Sequence, residues 1–278
     1  MAFRVLQISD THLSIRYDHF AANVEAVRRH VVAAAPDLVV NTGDLCMDGA
    51  GDAADLDLAA DWHASLGAPV RAVPGNHDVG DIAAIRPDQL VDDARLAAWR
   101  TRFGGDFWAM DVEDWRLVGL DAMLFGSGHA EEERQYAFLA HAAATDRRLA
   151  LFLHKPLFIE REDEGPRGYW TVKPAPRARL FAAIGAADLG LVASGHLHIA
   201  RARPIDGVDH VWGPSAAFVC GPIQEDLGGE RVIGLAEHVF AGREVVSRFV
   251  RPEGVADTPL DPVHDEIYPR TAEPETVA

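Results

Sequence analysis

Short apolar segments that each end in polar residues constrain the fold of this chain more than any other feature of its sequence. Continuous apolar runs of this length are typical of strands that are buried on both faces of a sheet. Segments with helical spacing lie between the early runs, and each has about the length of a crossover helix. The predicted strands are 3–9, 37–42, 70–74, 149–153 and 189–193, and the predicted helices are 20–34, 53–66 and 87–103. A strand followed by a helix, repeated, predicts an α/β fold.

Further strand-like runs in the middle and at the end of the chain indicate antiparallel pairing. Segments 106–112 and 115–121 flank Glu113 and Asp114 as a hairpin would, and similar runs follow at 199–204, 208–212, 231–240 and 244–250. The expected whole is two packed mixed β-sheets flanked by helices, in one domain over residues 1–250. Residues 251–278 are rich in Pro, Asp and Glu without periodicity, which predicts a C-terminal tail lying on the body or on a partner subunit.

The charge and the cysteine content exclude several classes of function. The 26 basic residues face 43 acidic ones, and a formal charge of -17 repels long nucleic acids and anionic membranes. No apolar stretch approaches the roughly 18 to 20 residues that span a bilayer. Two cysteines, Cys46 and Cys220, are too few for a disulfide framework, so we expect a reduced, cytoplasmic protein. Because the whole chain is acidic, a substrate that carries phosphate would have to be attracted locally, at its binding site.

Histidine, aspartate or asparagine directly follows predicted strands at five places. In open α/β sheets, ligands bind outside the carboxyl ends of the strands, so these side chains are expected to converge. Residues two apart in an extended chain point to the same side, which lets Asp10 and His12 reach one ion. A mixed set of nitrogen and oxygen donors suits Zn, Mn or Fe. The five places are Asp10 with His12, Asp44, Asn76 with His77 and Asp78, His154, and His196 with His198.

The order of these motifs, DxH, GD, GNHD, H and GHxH, resembles the calcineurin-like metallophosphoesterase superfamily over roughly residues 3–220. Within it the chain looks most similar to bacterial class III cyclic nucleotide phosphodiesterases and glycerophosphodiesterases. The resemblance implies a four-layer αββα sandwich and a dinuclear metal centre. It also implies hydrolysis by in-line attack of a hydroxide that bridges two divalent or mixed-valence Mn, Fe or Zn ions.

The resemblance further implies a role for each motif residue. His77 would be a catalytic residue that does not bind metal and that serves the leaving group, while the Asp44 carboxylate would bridge both ions. The first ion would be held by Asp10, His12 and His198, and the second by Asn76, His154 and His196.

The sequence departs from the pattern of many relatives at two positions. Met47 stands where they carry an aspartate that orients the catalytic histidine, which leaves Asp48 and Asp78 as candidates for that role. Lys155 follows His154 where many relatives have a second histidine, and this difference bears on how substrate is held.

The long connection 158–176 follows a predicted ligand strand and carries residue types that grip phosphate and stack on rings. We interpret Tyr169, Trp170 and Arg167 as substrate-binding residues, with a solvated surface loop as the alternative.

The predicted function is hydrolysis of small phosphodiesters. The alternatives are a phosphomonoesterase, a non-catalytic binding scaffold of the same fold, and a nuclease acting on dinucleotides. The expected binding partner is a small phosphate ester, and a homodimer with a second copy of the chain is a further option. Binding to long nucleic acids or to membranes is not expected.

Overall fold

Two mixed β-sheets form the centre of the protein in a computed structural model that describes residues 2–268, apart from the side chains of residues 222, 223 and 225. The first sheet has the strand order β11-β10-β1-β2-β3, and the second has the order β4-β5-β6-β7-β9-β8. The first sheet consists of β1 (Phe3–Ile8), β2 (Leu38–Asn41), β3 (Val70–Ala72), β10 (Leu235–Ala241) and β11 (Glu244–Val250). The second consists of β4 (Trp108–Val112), β5 (Trp115–Leu120), β6 (Arg148–Leu153), β7 (Leu189–Ser194), β8 (Arg201–Ile205) and β9 (Val208–Trp212).

Helices connect the strands and cover the outer faces of both sheets. They are α1 (Ala21–Ala34), α2 (Ala53–Ala64), α3 (Asn76–Val79), α4 (Asp93–Phe103), α5 (Ala130–Ala143), α6 (Pro174–Ile184) and α7 (His264–Ile267). None of these helices, all within the described residues, is both long and apolar enough to cross a bilayer.

Alternation of side chains within each central strand explains the continuous apolar runs of the sequence. In β6, Ala150 and Phe152 point inward to the cluster between the sheets, whereas Leu149 and Leu151 point outward to the cluster that packs under the helices. Val5 of β1 also lies between the sheets, together with residues of the second sheet. Because successive residues face opposite sides, a strand covered on both faces must be apolar throughout. The predicted arrangement of two packed mixed sheets flanked by helices is therefore confirmed.

Parallel pairing brings the carboxyl ends of the central strands to one edge. Strands β1, β2 and β3 are parallel, with Ile8 opposite Asn41 and Asn41 opposite Ala72. Strands β5, β6, β7 and β9 are also parallel, with Leu153 opposite Ser194. The residues that follow these strands therefore leave both sheets on the same side, where the polar motifs of the sequence lie.

The structure corrects three details of the predicted elements. The predicted helix 87–103 begins only at Asp93, since the Asp92 side chain caps it by accepting a hydrogen bond from Arg95 N at 2.8 Å. Helix α5 was not predicted. Helix α6 begins at Pro174, so the last three residues of segment 158–176 belong to this helix rather than to the connection.

Residues 251–268 turn back from β11 onto the body of the protein. Pro259 pairs with Val219, and Ile267 is buried. The part of the predicted tail from residue 269 to residue 278 lies outside the described residues, and the domain boundary at residue 250 stays a prediction.

Replacing Leu151 by Ala should destabilise the whole fold, because this side chain is fully buried in the strand that leads to His154. Loss of its contacts and the cavity left behind should cost about 2–5 kcal/mol in the free energy of unfolding, measured by urea titration. Val246→Ala on β11 is the matched control, since Val246 is 65% exposed, and it should change stability by less than about 0.5 kcal/mol. Equal effects of the two substitutions would contradict the proposed core.

Candidate metal centre

Six side chains from four different loops meet in one buried cluster at the common strand edge. Each of the six is no more than 4% exposed. Their ligand atoms form two groups, each with all atoms within 4.8 Å of one another, and a third group combines His12, Asp44 and His77. The two groups are Asp10 with His12 and His198, and Asp44 with His154 and His196.

The backbone is in the left-handed region at most of these positions. Of the eight non-glycine residues with positive φ in residues 2–268, five belong to the cluster: Asp10, His12, Asp44, His196 and His198, with φ of 53°, 42°, 51°, 70° and 54°. Such conformations cost on the order of 1–3 kcal/mol each, so they persist only where neighbouring contacts enforce them. Here the loops after β1 and β2 enforce one another, since Asp10 N donates to the Gly43 carbonyl at 2.9 Å and His12 N donates to the Asp44 carbonyl at 3.1 Å.

The Asp44 carboxylate lies between the two groups. Its Oδ2 is 3.2 Å from His154 Nε2 and 3.9 Å from His12 Nε2. Its Oδ1 accepts a hydrogen bond from His77 N at 2.9 Å. One carboxylate therefore has an oxygen within reach of both groups, which is the position that a bridging ligand requires.

Backbone carbonyls orient the imidazole rings toward the centre. His154 Nδ1 donates to the Thr42 carbonyl and His198 Nδ1 donates to the Phe218 carbonyl, each at 2.8 Å. The Nε2 atoms of both rings therefore point inward without a proton in the neutral form. His196 is turned the other way, since its Nε2 donates to the Tyr169 carbonyl at 3.0 Å and its Nδ1 faces the centre. Such outer contacts select the ligating nitrogen.

Asn76 supplies an oxygen that has no hydrogen-bond partner. Its Nδ2 donates to Tyr169 Oη at 3.2 Å, which fixes the amide, while its Oδ1 is buried and unpaired. A buried polar atom without a partner is costly, so its position is best explained by a bound ion. The donor set of imidazole nitrogen, carboxylate and amide oxygen fits first-row transition metals.

The crowded cluster shifts the pKa values of its own members. Burial alone would raise the pKa of Asp44, but the charges of His154 and His77 hold it well below its usual value. Burial opposes protonation of His154, yet the Asp44 carboxylate raises its pKa to about 9. The pKa of His198 is raised despite burial, by Cys220 and Asp10. Neighbouring negative charge thus favours the protonated form of His154 and His198, whereas burial lowers the pKa values of His12 and His196.

Two glycines allow the loops to approach the carboxylates closely. A Cβ on Gly75 would lie 2.2 Å from Asp44 Oδ1, and a Cβ on Gly195 would lie 1.8 Å from Ser9 Oγ and 2.8 Å from Asp10 Oδ2. No side chain fits at such distances, so both positions require glycine for close approach. The glycine in each motif is therefore part of the architecture of the cluster.

His77 has a support that the sequence did not predict. Its Nδ1 donates to the backbone carbonyl of Met47 at 2.7 Å. Neither acidic candidate takes this role, because the Asp78 carboxylate accepts from the backbone of Leu45, Cys46 and Gly75 instead. Asp48 Oδ1 accepts from Gln89 Nε2. A peptide carbonyl thus stands where a carboxylate was expected.

A cavity of about 540 Å³ opens over the cluster and His77. Tyr169 and Trp170 line it, and the Tyr169 ring centroid is 4.5 Å from that of His196. Arg167 does not line it: its guanidinium faces Glu164 at 3.6 Å and is half exposed. The sequence interpretation missed further lining residues that carry no motif signal, among them Arg86, Phe218, Cys220, Gln224 and Tyr268.

Lys155 holds the wall of this cavity rather than contacting the cluster. Its ammonium forms a buried ion pair with Asp81 at 2.6 Å and lies 5.1 Å from the centre of the Tyr169 ring. Both partners are less than 5% exposed, so the pair is strongly desolvated. The ammonium thus lies beside an aromatic side chain that in turn contacts His196.

Comparison with known proteins gives matches at the level of family and fold. The model of the calcineurin-like phosphoesterase family matches residues 3–200. The 3′,5′-cyclic adenosine monophosphate phosphodiesterase CpdA of Escherichia coli K12 is 32% identical over 164 residues, which cover 54% of this chain and 54% of the relative. A probable cyclic nucleotide phosphodiesterase of Synechococcus is 29% identical over 128 residues, covering 44% and 45%. The chain thus spans about half the length of the curated relatives it matches.

Among solved structures, the purple acid phosphatase PPD1 from yellow lupin seeds superimposes with a TM-score of 0.66. The match covers 92% of this chain and 53% of the phosphatase at 15% sequence identity. At this identity the likeness concerns the fold alone.

Substituting Gly75 by Ala should weaken metal binding, since the added methyl group would displace the Asp44 carboxylate. We expect a loss of about 10- to 100-fold in metal affinity, measured by calorimetric titration of chelator-treated protein. Gly165→Ala is the control, because a Cβ at Gly165 meets no atom within 4 Å. Unchanged affinity in Gly75→Ala would show that Asp44 does not contribute to the metal site.

Metal binding should release protons at neutral pH. The raised pKa values of His154 and His198 keep both imidazoles protonated in the metal-free protein, whereas a ligating imidazole must be neutral. At least these two protons per chain should leave, which titrations in buffers of different ionisation enthalpy would measure. His154→Gln should release about one proton fewer. A binding heat that does not depend on the buffer would contradict this assignment.

Proposed function

The chain belongs to the calcineurin-like phosphoesterase family, and from this premise we propose that it is a metal-dependent phosphodiesterase acting on small substrates, with cyclic nucleotides and glycerophosphodiesters as the first to test. The observation that carries this proposal is the buried convergence of two ligand groups around one carboxylate, beneath an open cavity. The curated relatives, named as cyclic nucleotide phosphodiesterases, support the choice of substrate class.

The lining of the cavity favours a phosphodiester over a phosphomonoester. Among the described lining residues, Arg86 is the single arginine or lysine. A monoester dianion gains most from several cationic side chains, whereas a diester carries one negative charge and two organic groups. Tyr169, Trp170, Phe218 and Tyr268 supply aromatic surface for such groups. A phosphomonoesterase of the same fold is the alternative.

The proposed metal ligands divide into the two groups seen in the cluster. Asp10, His12 and His198 would hold one ion, Asn76, His154 and His196 the other, and Asp44 would bridge them. Two bound Mn, Fe or Zn ions would supply a hydroxide nucleophile at neutral pH and neutralise charge on the phosphoryl group. Such a local positive charge also offsets the repulsion of anions by a chain with a formal charge of -17.

His77 would donate a proton to the leaving group. Its imidazole lines the cavity and its Nε2 is 3.9 Å from Asp44 Oδ2, so the ring lies beside the cluster on the substrate side. Because Nδ1 donates to the Met47 carbonyl, Nε2 is the nitrogen that faces the substrate. A proton held at Nε2 in the imidazolium form would pass to the departing alkoxide.

A panel of substrates tests the reaction class. The values of kcat/KM on matched phosphate monoesters and diesters, each with Mn, Fe or Zn supplied, should be higher for diesters. A preference for monoesters would favour the phosphomonoesterase. An absence of turnover together with less than about one metal ion per chain after repletion would indicate a binding scaffold. The homodimer and the cytoplasmic location stay predictions.

His77→Ala should keep both metal ions and lose turnover. With an alkyl diester as substrate, kcat should fall by about 10²–10⁴-fold, because the alkoxide leaves without a proton. The loss should be smaller with a nitrophenyl diester, whose leaving group needs little protonation. Asp44→Ala is the contrasting variant and should lose the second ion and turnover together. Full activity of His77→Ala on the alkyl diester would refute the role of His77.

A further inference from the structure

The last described residues of the chain form part of the candidate active site. Residues 258–268, called here the C-terminal segment, start beside the cluster: Val219 N donates to the Thr258 carbonyl, and Leu260 N donates to the Val219 carbonyl, each at 3.0 Å. Ile267 is 7% exposed in an apolar cluster that includes Met47 and Phe218. The segment is therefore attached to the body before its short helix α7 and at the last residue of that helix.

A second anchor holds the end of the segment. Tyr17 Oη donates to the Glu266 carbonyl at 3.2 Å, and His19 Nε2 lies 3.1 Å from the Glu266 carboxylate. Both partners belong to the connection between β1 and α1. These contacts place the next side chains of the segment, Ile267 and Tyr268, over the loop that follows β2.

Tyr268 contacts both partners of the hydrogen bond that supports His77. Its ring centroid is 5.6 Å from the imidazole centroid of His77. Its Oη donates to Met47 Sδ at 3.2 Å, and Met47 is the residue whose carbonyl accepts from His77 Nδ1. The His12 ring makes an edge contact with the same imidazole, with a centroid distance of 4.9 Å. His77 thus packs against both a cluster histidine and Tyr268.

Such packing matters because a single carbonyl constrains the ring only weakly. One hydrogen bond fixes the position of Nδ1 but leaves the imidazole free to tilt about that contact, whereas neighbouring rings restrict the tilt. Tyr268 and His77 both line the cavity over the cluster and an adjoining cavity of about 310 Å³. Without the Tyr268 ring, His77 could swing toward the adjoining cavity.

We propose that Tyr268 is a positioning residue that holds the His77 imidazole toward the metal cluster, in a site where the backbone of Met47 replaces a carboxylate partner. This inference rests on the proposed function for its catalytic consequence, since His77 must serve the leaving group. The geometric part, that Tyr268 holds the ring, stands apart from the reaction. The two parts are therefore tested by different measurements.

The kinetic test compares leaving groups. Tyr268→Ala should lower kcat on an alkyl diester by about 10- to 100-fold with KM little changed, and should lower kcat on a nitrophenyl diester much less. Tyr268→Phe keeps the ring and should restore kcat to within about 3-fold of the parent, because a thioether is only a weak acceptor. An equal loss on both substrates, or a failure of phenylalanine to restore kcat, would overturn the proposal.

Phe249→Ala is the matched control. It removes an aromatic side chain of β11 that is 38% exposed and is not in contact with His77 in the described hydrogen bonds and ring contacts. Its kcat on the alkyl diester should stay close to that of the parent. A loss as large as that of Tyr268→Ala would show that the effect is not specific to the ring beside His77, and would refute the role of Tyr268.

A spectroscopic test works without turnover. In zinc-loaded protein labelled with ¹⁵N-histidine, the Nδ1–H signal of His77 is assigned by its absence from His77→Gln. This signal should broaden or disappear in Tyr268→Ala and persist in Tyr268→Phe. Persistence in Tyr268→Ala would refute the positioning role. Loss of the signal in a protein that hydrolyses no phosphate ester would uphold the positioning role while the proposed function fails.

Discussion

A buried carboxylate shared between two sets of imidazoles is the constraint around which this end of the molecule is organised. Asp44 is 2% exposed, and an uncompensated charge at such a site would be strongly unfavourable. Its oxygens are met by His154, His12 and the backbone of His77. Because the compensating groups come from separate loops, each loop is tied to the same atom, and the positions of the loops are coupled.

The buried strands stabilise the left-handed backbone conformations that the crowded cluster requires. Left-handed conformations at Asp10, Asp44 and His196 occur directly after or near the ends of buried parallel strands. Those strands are covered on both faces, so the ends of the loops cannot relax without disturbing the core. Rigid strands thus keep the polar loops close enough for their side chains to share ions.

The imidazole of His77 is oriented in a different way from the imidazoles of His154 and His198. His154 and His198 are oriented by the carbonyls of Thr42 and Phe218, which are both buried. His77 is 14% exposed in its side chain, at the boundary of the cavity, and its carbonyl partner belongs to a residue that Tyr268 contacts from outside. A group that must meet substrate cannot be fully enclosed, so its orientation depends on the packing of a surface segment.

Local pattern in the sequence was enough to predict the strands, their alternation of faces and the set of polar side chains that gather beyond them. These properties depend on neighbours in the chain: an apolar run that ends in Asp or His remains a buried strand with a polar end in any compatible topology. The support of His77 by Met47, the exclusion of Arg167 from the cavity and the arrival of Tyr268 depend instead on contacts between distant segments. Periodicity carries no information about such contacts, because they arise only when the C-terminal segment packs against the loops after β1 and β2.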